Sequence, residues 1–118
     1  MGITYLEIEI GHPERPKQTE RLSFLIDSGA THSLVPRAIL ERLGIRANTT
    51  QKYQLANGEV ITREKGYAIF RYNDHEGVSS VIFGESGDKT LLGVVTLEEL
   101  GFMLDPVHHE LRPLPMLL

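Results

Sequence analysis

Leu22-Ser23-Phe24-Leu25-Ile26-Asp27-Ser28-Gly29-Ala30-Thr31 is the stretch on which the reading of this chain turns. Its first five residues form an apolar run broken only by Ser23, and they alternate as a strand does. A carboxylate directly after such a strand is poorly placed for solvation, and burying it unpaired is costly. The residues that follow are small or hydroxylated, and Gly29 can take backbone conformations closed to other residues. Together they predict a tight loop that holds one carboxylate, Asp27, at a strand end. The same residue types also make ordinary turns, so the weight of this loop depends on its surroundings.

At 118 residues the chain has the length of one domain with a single modest core. We expect residues 1–118 to form that one domain. Its 41% hydrophobic and 24% charged residues are ordinary for a globular protein. The net charge of −4 gives no electrostatic footprint for nucleic acid or an anionic membrane, and neither is expected as a partner. With no cysteine, disulfides, thiol nucleophiles and thiolate metal sites are excluded. No signal peptide is expected from the first residues. Met1-Gly2 lacks the later hydroxyl of a myristoylation signal, because Leu6 stands there. No apolar run approaches the roughly 20 residues of a membrane-spanning helix. The cytoplasm is the expected compartment.

Outward from Asp27, Ile3 to Ile10 reads as a strand, Gly11 to Pro16 as a turn, and Glu20 to Ile26 as the returning strand. Ser33-Leu34-Val35 is a short extended piece. Pro36 suits a first helical position, Ala38, Ile39, Leu40 and Leu43 form an apolar face, and Gly44 ends that helix. Gln51 to Thr62 is the strongest hairpin signal, with Asn57-Gly58 predicting a two-residue type I′ turn. Its polar arms suggest a projecting ribbon. Gly66 to Tyr72 and Val78 to Phe83 form another strand pair, joined by residues 73–77. Gly84 to Asp88 is a loop, and Thr90-Leu91-Leu92 a short strand stopped by Gly93. Thr96 and Glu99 have capping-box spacing for a helix ending near Gly101. Phe102 to Leu104 and Glu110 to Leu114 are final extended segments. The fold class expected is all-β, mainly strands with two short helices.

Four features therefore occur in order: a strand running into Asp27-Ser28-Gly29-Ala30-Thr31, a glycine hairpin, Leu91-Leu92-Gly93, and a short helix. This order resembles the retropepsin family, the single-lobe aspartic proteases of retroviruses and retrotransposons and their cellular relatives. Asp27-Ser28-Gly29-Ala30 matches the family's D-[ST]-G-[AS] loop, Leu91-Leu92-Gly93 its lobe-closing apolar-apolar-Gly, and Asn57-Gly58 lies where the family carries its flap. The resemblance implies a single-lobe, closed acid-protease barrel. It also implies an aspartic endopeptidase without cofactor or metal, acting as a homodimer on a peptide or protein substrate. Asp27 is then the catalytic residue. Ser28, Gly29, Ala30 and Thr31 support it, Tyr53, Ala56, Asn57 and Gly58 form the flap and bind substrate, and Leu92 and Gly93 close the lobe. Retroviral members often carry an Asp at the place of Thr31 and an Arg at the place of Val94; both are absent here. The segment 106–118 has no clear retroviral counterpart and looks more like the cellular prokaryotic branch.

Such chemistry needs two carboxylates sharing a proton, one activating water while the other polarises the scissile carbonyl. Only one Asp-Ser-Gly exists; Asp74, Asp88 and Asp105 lie in turn contexts. A twofold homodimer is therefore expected to supply the second acid. The alternative is a catalytically silent dimerisation or peptide-binding module of the same fold, which does not require Asp27. Gly84-Glu85-Ser86-Gly87 lacks the full spacing of a nucleophile elbow. His108 and His109, adjacent on an extended chain, point apart and read as tail residues. His32 reads as a solvated loop residue, with a place in the substrate cleft as the alternative, and the apolar end Leu114 to Leu118 as a surface covered at an interface or on the sheet.

Overall fold

The alternation on either side of the first turn becomes two long strands. The computed structural model describes residues 3–115; Met1-Gly2 and residues 116–118, on which two of the expectations above bear, lie outside it. β1 (Tyr5–His12) buries Ile8 and Ile10 and pairs antiparallel with β2 (Arg15–Ile26), which buries Phe24 and Ile26. The turn is shorter than the expected Gly11 to Pro16, with only Pro13 and Glu14 between the strands. Pro16 fits inside β2 because the register shifts there. His12 pairs with Arg15 and Gly11 with Thr19, so Pro16 to Gln18 bulge out of the ladder, where a missing N–H breaks no bond.

β3 (Ser33–Pro36) runs into α1 (Arg37–Arg42). Pro36 stands just outside the helix at ψ 135° and does not fill its first turn. Leu40 is buried, while Ala38 faces solvent, so the apolar face is narrower than the sequence spacing predicts. β4 (Thr49–Gln54), β5 (Val60–Tyr72) and β6 (His75–Gly84) form a meander. The β5–β6 turn is only Asn73-Asp74, with Asn73 in the left-handed region at φ 54°.

β7 (Leu91–Leu92), α2 (Val94–Leu100), β8 (Phe102–Asp105) and β9 (Glu110–Pro113) complete the order. Gly93, not Thr96, precedes the first turn of α2, and Thr96 sits within that turn, buried. The capping-box spacing is therefore a coincidence of sequence. Gly101 ends the helix as expected.

The strands run β1-β2-β7-β3-β6-β5-β4, and β5 returns to pair with β1 at Glu9–Arg71, Ile10–Phe70 and Gly11–Ile69. Six strands thus close into a barrel, with β4 outlying on β5. β8 and β9 form a separate two-stranded sheet. Phe24 and Phe70 meet edge-on in the core at 6.1 Å, and Leu40 of α1, Leu97 of α2 and Phe102 of β8 join the same cluster. The expected class, mainly strands with two short helices in a closed barrel, is what the chain adopts. Among the described residues no helix is long and apolar enough to cross a membrane.

Candidate functional site

Two parallel pairings create the place where Asp27 stands. β2 runs beside β7 through Leu25–Leu91 and Ile26–Leu92, and β3 runs beside β6. Asp27 follows the last residue of β2, and its N–H donates to the Leu92 carbonyl at 3.0 Å. The chain then turns: the Ala30 N–H donates to the Asp27 carbonyl at 3.1 Å, and the Gly29 N–H to Asp27 Oδ1 at 2.9 Å. Gly29 does not have a positive φ, contrary to the use of glycine expected there. An added Cβ would stand 3.2 Å from Asp27 Oδ1, so what glycine gives is room beside the carboxylate.

Behind the loop, Gly93 is required by close approach. A Cβ there would lie 2.5 Å from the His32 carbonyl oxygen and 2.8 Å from that of Thr31, both backbone atoms. The next two amides, Val94 and Val95, donate to the carbonyls of Ala30 and Thr31 at 2.8 and 3.2 Å. These are helix-initial N–H groups without intrahelical partners. The loop thus caps α2, and α2 holds the loop. The apolar-apolar-Gly motif at Leu91, Leu92 and Gly93 acts through this contact.

Asp27 is half-buried between two hollows. Its neighbour Gly29, with Ala30, Thr31 and His32, lines a cavity of about 380 Å³ walled by Leu34, Tyr53, Ile61, Ile82 and Leu91. Ser28, exposed, borders a shallower groove with Val94, Met103, Leu104 and Leu114. Arg63 and Asp88 close one side of the larger cavity as an ion pair at 2.8 Å, and Asp88 also accepts the Glu85 N–H. The Arg63 guanidinium holds the Asp88 carboxyl below its usual range. Asp105 is likewise held down by His108 and Arg112. Among the described residues, the Asp27 carboxylate has only a backbone N–H on it and no cationic partner.

The β4–β5 hairpin differs from the expected type I′ turn. Gly58 alone has a positive φ, 90°, while Asn57 does not. The Gly58 N–H donates to the Leu55 carbonyl at 2.9 Å, and the Leu55 N–H to the Glu59 carbonyl at 2.8 Å. This is a type I turn followed by a left-handed glycine that forms a bulge. Asn57 serves through its side chain, whose Oδ1 accepts the Glu59 N–H. Residues 54–60 are all exposed, so the hairpin projects. Tyr53 reaches the cavity, but Ala56, Asn57 and Gly58 lie beyond its walls.

His32 is not a solvated loop residue. Its ring meets that of Tyr53 at 5.4 Å and 76°, joining the Asp27 loop segment to the hairpin. Burial, reinforced by the positive charge of Lys65, pushes its pKa down. Asp105, His108 and Glu110 bring potential ligand atoms within 4.8 Å of one another, but Arg112 already holds the Asp105 carboxylate. Sequence reasoning missed Ser33, Ser79, Arg63 and Asp88. A serine opening an otherwise apolar strand is the one available signal, for Ser33; the Arg63–Asp88 pair has none, since Arg63 stands in β5 and Asp88 in the loop after β6.

Comparison with known proteins bears on this geometry. The family model described as Aspartyl protease matches residues 15–96. The solution structure of the simian foamy virus (mac) protease is similar at 26% identity and a TM-score of 0.57, covering 80% of this chain and 91% of the viral one. A retropepsin-like aspartic protease from Rickettsia conorii is similar at 20% identity and a TM-score of 0.45, covering 86% and 84% respectively. No curated protein matches the chain.

Proposed function

The chain belongs to the aspartyl protease family, in its retropepsin-like single-lobe form, and from that premise we propose that it is an aspartic endopeptidase working as a homodimer. Asp27 of each protomer completes the other's site. One carboxylate takes a proton from water while the other, protonated, polarises the scissile carbonyl. The observation that carries this reading is the state of Asp27. It is held by the Gly29 N–H at 2.9 Å and, among the described residues, by no cation, at a bend beside a cavity, whereas Asp88 and Asp105 are each paired with an arginine.

The surface around Asp27 supports a twofold partner. Large apolar side chains are exposed at Ile3, Tyr5, Val95 and Met103. The segments that carry them are tied together near the loop: the Ile26 N–H donates to the Thr4 carbonyl, Thr4 Oγ1 bonds to His109, and Ser28 shares a groove with Met103 and Leu114. A self-complementary contact here covers that surface and opposes two Asp27 residues. In this reading the Ser28 hydroxyl bonds across the axis. Ala56, Asn57 and Gly58 form a flap tip whose backbone groups grip an extended peptide. The cavity of Leu34, Tyr53, Ile61, Ile82 and Leu91 seats an apolar substrate side chain. Residues 1–118 act as one lobe without a cofactor. The proposal places the activity in the cytoplasm, which fractionation of the source cells checks.

The test is cleavage of a peptide library between about pH 4 and 7 by the wild type and Asp27→Asn, with sedimentation run alongside. Cleavage by the wild type and none by Asp27→Asn is the expected outcome. Equal cleavage by both, or none from a demonstrated dimer, overturns the reading; the latter favours a silent peptide-binding module.

A further inference from the structure

Beneath the Asp27 loop lies a chain of buried hydroxyls that the proteolytic reading does not use. The Gly93 N–H donates to Ser33 Oγ at 2.9 Å. Ser33 Oγ lies 2.6 Å from Thr96 Oγ1, which lies 2.9 Å from Ser79 Oγ. Ser79 Oγ donates to the Ser80 carbonyl at 3.3 Å. Each hydroxyl has one proton to give. Since Ser79 gives its proton to a carbonyl, it must accept from Thr96, and Thr96 in turn from Ser33. All donors therefore point one way, from Gly93 to Ser80. Ser33, Thr96 and Ser79 are 0%, 1% and 5% exposed, so water does not substitute for a missing member.

The position of this relay gives it a role. Thr96 on α2 joins β3, through Ser33, to β6, through Ser79. Ser33 holds the amide of Gly93, the residue that follows Leu92. The Leu92 carbonyl receives the Asp27 N–H, and the Gly93 backbone lies against the carbonyls of Thr31 and His32. A shift of Gly93 is thus passed to both ends of the loop that carries the acid. We propose that Thr96 is a positioning residue for Asp27, fixing the height of the loop through Ser33 and Gly93. It touches neither substrate nor reacting atoms. This inference rests on the assignment of Asp27 as the catalytic acid.

Thr96→Val keeps the shape but breaks the relay in the middle, leaving the Ser33 and Ser79 hydroxyls short of a partner; Thr96→Ser keeps the hydroxyl. The expected result for Thr96→Val is a fall in kcat of about tenfold to a hundredfold per folded protein, with KM little changed, because small misplacements of reacting groups cost that much. Thr96→Ser restores kcat. Ile10→Val, a core trim in β1 away from the relay, lowers stability without lowering kcat. Amide exchange is measured in parallel. At Asp27, Gly93, Val94 and Val95 it is expected to quicken by roughly tenfold in Thr96→Val relative to the barrel amides, since opening of local structure sets these rates. If the wild type cleaves, an unchanged kcat in Thr96→Val, or a fall that Thr96→Ser does not restore, overturns the proposal. If the wild type cleaves nothing, the proteolytic reading has failed on its own, and unchanged exchange at those four amides overturns the positioning role.

Discussion

Gly93→Ala tests how tightly the loop is held. Gly93 has φ −95° and ψ 176°, which any residue adopts, so the substitution adds no backbone strain. The whole effect comes from one methyl group. It would meet the His32 carbonyl oxygen at 2.5 Å and the His32 carbonyl carbon at 2.6 Å. An ordinary carbon–oxygen contact is about 3.3 Å, so the backbone of Thr31 and His32 must retreat by roughly 0.8 Å. Overpacking of this kind costs about 1–3 kcal/mol. The retreat also stretches the bonds from Val94 to Ala30 and from Val95 to Thr31, each worth about 1 kcal/mol. The expected loss is about 2–5 kcal/mol, or roughly 8–20 °C in Tm for a domain of this size. Peptide cleavage at a temperature where the variant remains folded should fall by about a hundredfold, because the displaced residues adjoin the acid. Calorimetry and a single-turnover cleavage assay measure both. A Gly93→Ala protein with unchanged Tm and unchanged cleavage would refute the argument from close approach.

Asp88→Asn should destabilise by about 1–3 kcal/mol in urea at neutral pH, since Arg63 loses its charge partner in a part-buried setting. The Asp88 carboxyl is held below its unfolded value of about 3.9, so its contribution is present above that pH and is lost as pH falls through the lowered folded value. The gap between wild type and variant should therefore close in strong acid, and a gap independent of pH would contradict the ion-pair account. For His32 the folded chain resists protonation while the unfolded chain takes a proton near pH 6.5. Stability then rises with pH through the window between the lowered value and about 6.5, and falls on acidification. His32→Gln should remove that slope, read as urea midpoints at about pH 5 and 7.5.

What could be read from the sequence and what could not divide along a physical line. Strand alternation in Leu22 to Ile26, the Asp27 loop, the projecting hairpin and the Gly93 stop depend on neighbouring residues, and each is present. Finer local readings failed where a distant partner decides the outcome. Thr96 and Glu99 have the spacing of a cap, yet Thr96 is drawn into the core by serines from β3 and β6. Pro16 reads as a strand breaker, but a bulge set by the β1 register removes its penalty. Asn57-Gly58 specifies a tight turn without choosing between its two- and three-residue forms. His32 reads as exposed because nothing in its own segment announces Tyr53. Whether two Asp27 residues face each other belongs to the surface of a second molecule and is encoded in no local pattern.

The parallel pairing of Leu25 and Ile26 with Leu91 and Leu92 has a consequence for how the protein is made. Asp27 leaves the ribosome more than sixty residues before the strand that cradles it, β7 (Leu91–Leu92). Until then Asp27 lacks the Leu92 carbonyl and the Gly93 support. Pairing across so long a separation is also among the slower steps a small chain performs. A nascent or truncated polypeptide ending before β7 therefore carries Asp27 without its cradle, and the loop gains its support only once β7 and Gly93 have been made.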